Sequence, residues 1–267
     1  MTGSTLGELT VGKLIKSTWE YGKSNFVLLT KIGVLANLLP IILGLLAALL
    51  LLGPAIMKLP ALMANQRELA LFFQDYLKEI GGIMILSGVF GLASVLASGV
   101  AYGALLYWVY NHLSGKEVTL KDAMQLGWKR LGFVVMTGIL NTLGVLGGAI
   151  LLIIPGIYLG VLWGFSVDRA VLTKEKPMEA IKGSAAMVKG RWWNVVGRYI
   201  VVSLLLSVIQ MIVQAIFGGL LSLSNAFVIT IIISLLVFIV QLYCNYFLMI
   251  FGIIMYKNLE SVGPMKA

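Results

Sequence analysis

Long apolar runs separated by short mixed segments extend through the whole sequence. The runs cover residues 28–52, 80–108, 132–154, 157–172, 193–221 and 227–256. About 20 apolar residues in an α-helix span the roughly 30 Å of hydrocarbon in a bilayer. Strand-like alternation, which would indicate a β-barrel, does not occur in these runs. The pattern therefore predicts an all-α, polytopic membrane protein with six transmembrane helices.

Three of the mixed segments combine one apolar side at helical spacing with lysines on the rest of the helix. They comprise residues 5–26, 120–131 and 177–192. This amphipathic pattern is typical of a helix that lies in the membrane interface. Pro177 suits the first position of the third helix, where its missing N–H costs nothing. Residues 55–79 predict a further short helix on the opposite membrane face.

Prolines and glycines mark the expected breaks and close contacts. Pro40 predicts a bend in the first span, and the pair at 155–156 predicts a tight corner between the third and fourth spans. Gly156, Gly160 and Gly164 recur at every fourth position. Such a ladder of small residues favours close packing of the fourth span on another helix.

Each interfacial segment precedes two predicted spans, and the segments align with one another without gaps. Residues 10–19 align with 119–128, and residues 13–26 align with 179–192, each ending on an aromatic residue. The chain is therefore interpreted as one membrane domain, residues 1–267. It either contains three repeats, 5–110, 117–173 and 176–258, or has acquired similar interfacial helices by convergence.

Composition and charge fit a membrane protein and indicate its orientation. Apolar residues make up 60% of the chain and charged residues 12%, compared with about 25% charged in soluble domains. The net charge of +9 favours anionic lipid over nucleic acid as the partner of so apolar a chain. Of the 20 lysines and arginines, only Lys58, Arg67 and Lys78 fall on the side without the termini. The positive-inside rule then predicts a cell-membrane protein with both termini and all three interfacial helices in the cytoplasm.

Few residues in the sequence suit catalysis or metal binding. Cys244 is the only cysteine and His112 the only histidine, so we expect no metal site and no cofactor. Acidic residues are almost absent from the predicted spans, since Asp168 falls at the cytoplasmic end of the fourth. Paired carboxylates for acid–base catalysis or ion-coupled transport are therefore not expected, and we assign no catalytic residue.

The predicted spans do contain uncharged amides. Gln210 and Gln214 share one helix face, and Gln241 and Asn245 share another. These amides either hydrogen-bond between helices, contributing about 0.6–2 kcal/mol each, or line a hydrated cavity for a headgroup or solute. The full intramembrane set is Asn37, Asn141, Gln210, Gln214, Gln241 and Asn245.

A basic and aromatic set follows the fourth span. These residues either anchor helix ends at the interface, with Asp168 and Arg169 as a salt bridge, or bind phosphate headgroups or a partner subunit. Lysine and arginine near a membrane contribute about 1 kcal/mol each toward anionic lipid. The set comprises Arg169, Lys182, Lys189, Arg191, Trp192, Trp193 and Arg198.

Residues 155–193 carry the most distinctive pattern. It consists of a PGIY corner at 155–158, an acidic residue and an alanine at 179–180 before Ser184, and a VKGRWW close at 188–193. This block resembles the bacterial and archaeal family named after the membrane portion of glycerophosphoryl diester phosphodiesterases, and related uncharacterised six-span proteins. In fused members the resemblance implies an attached soluble phosphodiesterase domain that carries the catalysis. Because the sequence ends at Ala267, soon after the last span, we expect neither that domain nor enzymatic activity.

These patterns predict a non-enzymatic, multi-pass membrane protein. Its expected role is a lipid-associated scaffold, or an accessory subunit that binds a protein partner at the cytoplasmic membrane face. The alternative is a transporter or channel for a small polar or lipid-like solute that uses the amides. An intramembrane enzyme has the least support, because acids and histidines are scarce.

Overall fold

The computed structural model describes residues 9–27, 29–31, 66–222 and 227–263, together with 38, 42 and 46. Every secondary-structure element in these ranges is an α-helix. The helices are α1 (Val11–Ser24), α2 (Gln66–Leu113), α3 (Leu120–Leu151), α4 (Ile153–Leu162), α5 (Ser166–Leu172), α6 (Pro177–Val188), α7 (Trp192–Ser222) and α8 (Phe227–Val262).

Four of the described helices are long and apolar enough to cross a membrane. The crossing segments are Met84–Leu113, Leu120–Leu151, Trp192–Leu220 and Ile232–Val262. The structure thus confirms an all-helical protein of membrane character within the described part of the chain. Most of the first predicted span, including Pro40, lies outside the described residues, as does the predicted far-face helix before Gln66.

Two predicted boundaries between interfacial helices and spans are absent. α2 continues without a break from Gln66 through residues predicted as a separate far-face helix. α3 likewise joins the second predicted interfacial helix to the third span. Glycines stand near both junctions, at 81–82 and 132, but a glycine lowers helix stability by only about 1 kcal/mol. The predicted separations were wrong, because a penalty of this size does not by itself end a long helix.

The corner between α3 and α4 lies at Leu152, three residues before the predicted Pro155–Gly156 corner. Leu152 has extended dihedral angles, φ −160° and ψ 142°, and its N–H donates to the carbonyl of Gly148. Pro155 instead occupies the first turn of α4. A proline is tolerated there because the first backbone N–H groups of a helix have no intrahelical partner. Pro155 is therefore part of the first helical turn and does not form the corner.

α4 folds back along α3, and the glycine ladder contributes to this contact at two of its three positions. A methyl group at Gly156 would come within 2.8 Å of the main chain of Ala149, and one at Gly160 would contact Val145. Gly164 lies in the break between α4 and α5, where only carbonyls of its own turn approach it. The ladder therefore packs the α3–α4 hairpin, as predicted, but ends before Gly164.

The buried core lies toward one end of the long helices. It combines Leu14 of α1, Leu106 and Val109 of α2, Phe165 and Val171 around α5, and Phe251 and Tyr256 of α8. The other halves of the same helices expose large apolar side chains, among them Met84, Leu92, Leu204, Met211, Ile232 and Leu235. Surface of this kind is stable against acyl chains and unstable in water, which agrees with a membrane setting.

Candidate functional site

The basic and aromatic set divides into a buried part and an exposed part. Arg169 donates from Nε to Oε2 of Glu175 over 3.0 Å, and its Nη2 pairs with the other carboxylate oxygen. This bidentate pair holds the guanidinium against α6, where it lies directly over Gly183. The expected salt bridge between Asp168 and Arg169 is not formed, because the two side chains have different partners.

Arg191 and Arg198 are buried, at 5% and 4% exposure. Nη2 of Arg191 donates to the carbonyl of Gly263 over 2.7 Å. Gly263 has a positive φ of 71° and ends α8, so the guanidinium lies at the negative end of that helix. These two arginines therefore contribute to the protein interior and not to its outer surface.

The exposed part consists of Lys182, Lys189 and Trp193. Trp192 is half-buried, because its indole stacks on Tyr158 at 5.8 Å between ring centroids and donates from Nε1 to the Tyr158 carbonyl over 3.1 Å. Trp193 is 81% exposed and stands perpendicular to Trp192. Trp192 thus packs α7 against α4, whereas the ring of Trp193 is free to contact lipid or another protein.

The amide set is not gathered into one interior site. Nδ2 of Asn141 points at the α4–α5 break and donates to the Trp163 carbonyl and to Ser166, over 3.4 and 3.3 Å. Gln210 is half-buried, whereas Gln214, Gln241 and Asn245 are exposed, and within the described ranges no hydrogen bond joins the amides to each other. Asn37 lies outside the described residues.

The break between α4 and α5 is held by Ser184 of α6. Its hydroxyl donates to the carbonyl of Leu162 over 2.8 Å and accepts from the N–H of Phe165 over 3.1 Å. Ser184 is fully buried, so these backbone groups have no access to water. Ser184, which belongs to the distinctive pattern of residues 155–193, therefore has a structural role, because it bonds the free backbone groups at the helix break.

Asp168 lies in the protein core and not at the interface where the sequence suggested it. It is 5% exposed, and Tyr102 of α2 donates a hydrogen bond of 2.7 Å to its Oδ1. An acidic residue in an apolar stretch signals that a polar partner exists. The sequence could not identify that partner, because Tyr102 is 66 positions away and α2 offers several tyrosines.

The end of α8 connects the helices at the packed end of the molecule. Asn258 accepts from the N–H of Leu9 over 3.0 Å, which fixes the start of α1. Lys257 donates from Nζ to the Leu113 carbonyl over 2.6 Å, where a cation is favoured by the end of α2. Sequence reasoning missed both residues, since they follow the last predicted span, which ends at residue 256.

α1 is also tied to α2 through Tyr21 and His112, whose Oη and Nδ1 are 2.9 Å apart. Burial raises the pKa of the Tyr21 phenol above its ordinary value, so the hydroxyl stays protonated and can donate to Nδ1 of His112. The His112 ring also stacks on Trp108 at 5.0 Å. The single histidine thus has a packing role at this junction.

Comparison of the chain with protein-family models, curated proteins and solved structures found no match. Across the described ranges, no group of three or more His, Cys, Asp or Glu side chains could hold a metal ion. The resemblance carried by residues 155–193 therefore stays a prediction. Most of the distinctive residues of that block have structural roles. Gly156 allows the close approach of α4 to α3, Ser184 bonds the α4–α5 break, and Trp192 stacks on Tyr158.

Proposed function

We propose that this protein is a non-enzymatic, multi-pass membrane protein that serves as a lipid-associated scaffold or accessory subunit at the cytoplasmic membrane face. The surface responsible is a basic collar, defined as Lys13, Lys16, Trp19, Lys121, Trp128, Lys129, Lys182, Lys189 and Trp193.

One observation carries the proposal: an exposed tryptophan stands beside lysines within two of the segments that the sequence marks as interfacial, and directly after the third. Trp19 and Trp128 are each 64% exposed, and Trp193 is 81% exposed. The six lysines of the collar are exposed as well. Indole rings and lysines together favour the headgroup layer, because the ring prefers the interface and the ammonium group prefers anionic lipid.

The three parts of the collar belong to the same end of the molecule. Leu9, before α1, is bonded to Asn258 near the end of α8, and Arg191, after α6, is bonded to Gly263. α3 begins a few residues after the end of α2, whose last carbonyl accepts from Lys257. A basic surface concentrated at one end supports an orientation in which that end faces the cytoplasm.

The six-span topology forms part of the proposal. α4 returns along α3 from the corner at Leu152, and Asn141 meets the α4–α5 break on the way back. This hairpin supports a third and a fourth crossing. Thr10 and Thr119 each stand directly before a helix, at matched positions of the aligned segments, which supports a repeat.

Transport has less support than the scaffold role. A solute pathway through the amides would need them to enclose a shared interior, whereas Gln214, Gln241 and Asn245 are exposed and Asn141 bonds to the α4–α5 break. Their exposure fits contact with lipid headgroups, a partner subunit or the first span equally well, and none of these requires a channel.

Native mass spectrometry of the full chain, extracted gently from its own membrane, tests the proposed function. We expect the protein to retain anionic phospholipid or a defined partner subunit. Lys182→Gln with Lys189→Gln should lower the retained anionic lipid by at least about tenfold, because each exposed lysine contributes about 1 kcal/mol, or about fivefold. The control is Arg67→Gln with Lys78→Gln, which removes the same charge from the predicted opposite face. Retention of neither lipid nor subunit, or an equal effect of both double variants, would contradict the proposal.

A further inference from the structure

An apolar cavity of about 760 Å³ lies where α1, α7 and α8 meet. Its walls include Leu206 and Ile209 of α7 and Tyr243, Cys244 and Phe247 of α8. Pockets that hold small molecules in proteins measure about 300–1,000 Å³ and are lined chiefly by apolar side chains. The cavity therefore has the size and the lining of a binding site for an apolar group.

α1 presents a second apolar side to this cavity. Its first side, Leu14 and Thr18, is buried against the rest of the protein. Ile15, Trp19, Gly22 and Lys23 of α1 line the cavity, and Phe26 lines it just after the helix ends. The spacing of the four helical residues places them on one stripe of α1. Packing α1 on α8 does not require this second stripe, so the stripe indicates another apolar occupant.

Gly22 keeps the cavity open on the α1 side. A methyl group built on Gly22 meets no atom within 4 Å, although the residue lines the cavity. Glycine within a helix lowers stability by about 1 kcal/mol relative to alanine. The small residue therefore preserves space at this point at some cost in helix stability.

A second, smaller pocket of about 250 Å³ lies beside the apolar one. Lys23 and Phe26 line both pockets, so the two meet at these side chains. The smaller pocket also includes Ser24, Asn25, Val27 and Lys31, and both lysines are exposed. Phe26 stacks on Tyr243 at 4.7 Å with the rings parallel, which fixes the boundary between the two. An apolar chamber thus opens beside two lysines and two small polar side chains.

We infer that this pair of pockets binds one anionic phospholipid, with an acyl chain in the apolar cavity and the phosphate beside Lys23 and Lys31. The charge of the two lysines selects an anionic headgroup over a zwitterionic one. The apolar wall selects a hydrocarbon chain over a soluble solute. This inference rests on the proposed lipid-associated function and adds a specific site, separate from the collar residues of α3 and α6.

The test uses the purified full chain in detergent with equal amounts of dioleoyl-phosphatidylglycerol and dioleoyl-phosphatidylcholine, which differ only in the headgroup. Native mass spectrometry should show one phosphatidylglycerol retained per chain, in preference to phosphatidylcholine. Lys23→Gln with Lys31→Gln should lower that preference by at least about tenfold, since each lysine near a headgroup accounts for about fivefold. Lys116→Gln with Lys174→Gln removes equal charge at exposed positions outside both the collar and the two pockets, and should leave the preference unchanged.

A steric variant tests the apolar cavity separately from the charge. Gly22→Leu fills it from α1 and should lower retention of both lipids, whereas Gly12→Leu, on the same helix with open space around it, should not. Cys244 gives a second readout in the unmodified protein, because the only thiol of the chain lines the cavity. Phosphatidylglycerol should slow its alkylation by N-ethylmaleimide more than phosphatidylcholine does.

The outcomes separate the site from the general function. If the unmodified protein retains lipid but Gly22→Leu and Lys23→Gln with Lys31→Gln retain as much, and Cys244 is not protected, the site is refuted while the proposed function stands. If Gly22→Leu changes the number of chains per complex instead of lipid retention, the cavity belongs to an interface between copies and the inference is wrong. Retention of neither lipid nor subunit by the unmodified protein refutes both proposals.

Discussion

Replacing Ser184 by alanine tests whether its hydroxyl stabilises the break between α4 and α5. The change removes a single oxygen atom. That oxygen accepts from the N–H of Phe165 and donates to the carbonyl of Leu162, both in a fully buried setting. The variant therefore deletes two backbone contacts across the break while leaving the apolar packing of α6 in place.

The expected cost follows from the two groups left behind. A buried backbone donor or acceptor that loses its partner costs about 1–3 kcal/mol. With two groups affected and almost no new cavity, we expect Ser184→Ala to destabilise the protein by about 2–4 kcal/mol. In a chain of this size class, 1 kcal/mol corresponds to about 2–4 °C in the melting temperature, so the shift should be about 4–16 °C.

Thermal unfolding in detergent measures the total effect, and hydrogen exchange measures its location. Exchange should accelerate at residues 163–166 before it does so elsewhere. Ser94→Ala is the matched control, because the Ser94 hydroxyl donates only to the Phe90 carbonyl of its own helix. We expect that control to change stability by less than about 1 kcal/mol.

The reasoning fails if Ser184→Ala unfolds at the same temperature as Ser94→Ala. It also fails if stability falls but hydrogen exchange at residues 163–166 is unchanged. The first result would mean that Ser184 does not stabilise the break. The second would mean that the loss arises in α6 and not across the break.

Two further substitutions test the interior in the same detergent assay. Tyr102→Phe should lower the free energy of unfolding by about 1.5–3 kcal/mol, because it removes a hydrogen bond to the buried Asp168, and the loss should be smaller in an Asp168→Asn background. Tyr107→Phe is the control. Equal losses from Tyr102→Phe in both backgrounds would exclude the coupling. Gly156→Ala should lower the free energy of unfolding by about 1–3 kcal/mol, because the added methyl group forces α4 away from α3. Gly147→Ala, which has open space beside it, should leave stability unchanged or raise it. Equal effects of the two substitutions would refute the close approach of α4 to α3.

Apolar run length and charge distribution suffice to predict helical class and membrane character, because both follow from local properties. Positions of helix ends are harder to predict. Pro155 favoured a corner but also fits a first helical turn, and the actual turn at Leu152 has no sequence signal. The boundary predicted at residue 80, where the apolar run begins, does not occur, because α2 runs through it.

The candidate site was predictable only in part, because burial depends on distant segments. Lys189 and Arg191 look alike in the sequence, yet one is exposed and the other is buried against the end of α8. That difference arises from Gly263, 72 positions away. The cavity beside Gly22 likewise depends on α7 and α8, so no local pattern in α1 could define it.

The central claim is that the basic collar and the α3–α4 corner lie on opposite sides of the membrane. Lys189→Cys and Leu152→Cys, each in a Cys244→Ser background, place one thiol at an exposed position of each end. In intact cells, a membrane-impermeant maleimide should label the cysteine at 152 and should reach the one at 189 only after permeabilisation. Labelling of both from the outside, or of the one at 189 alone, would contradict the account.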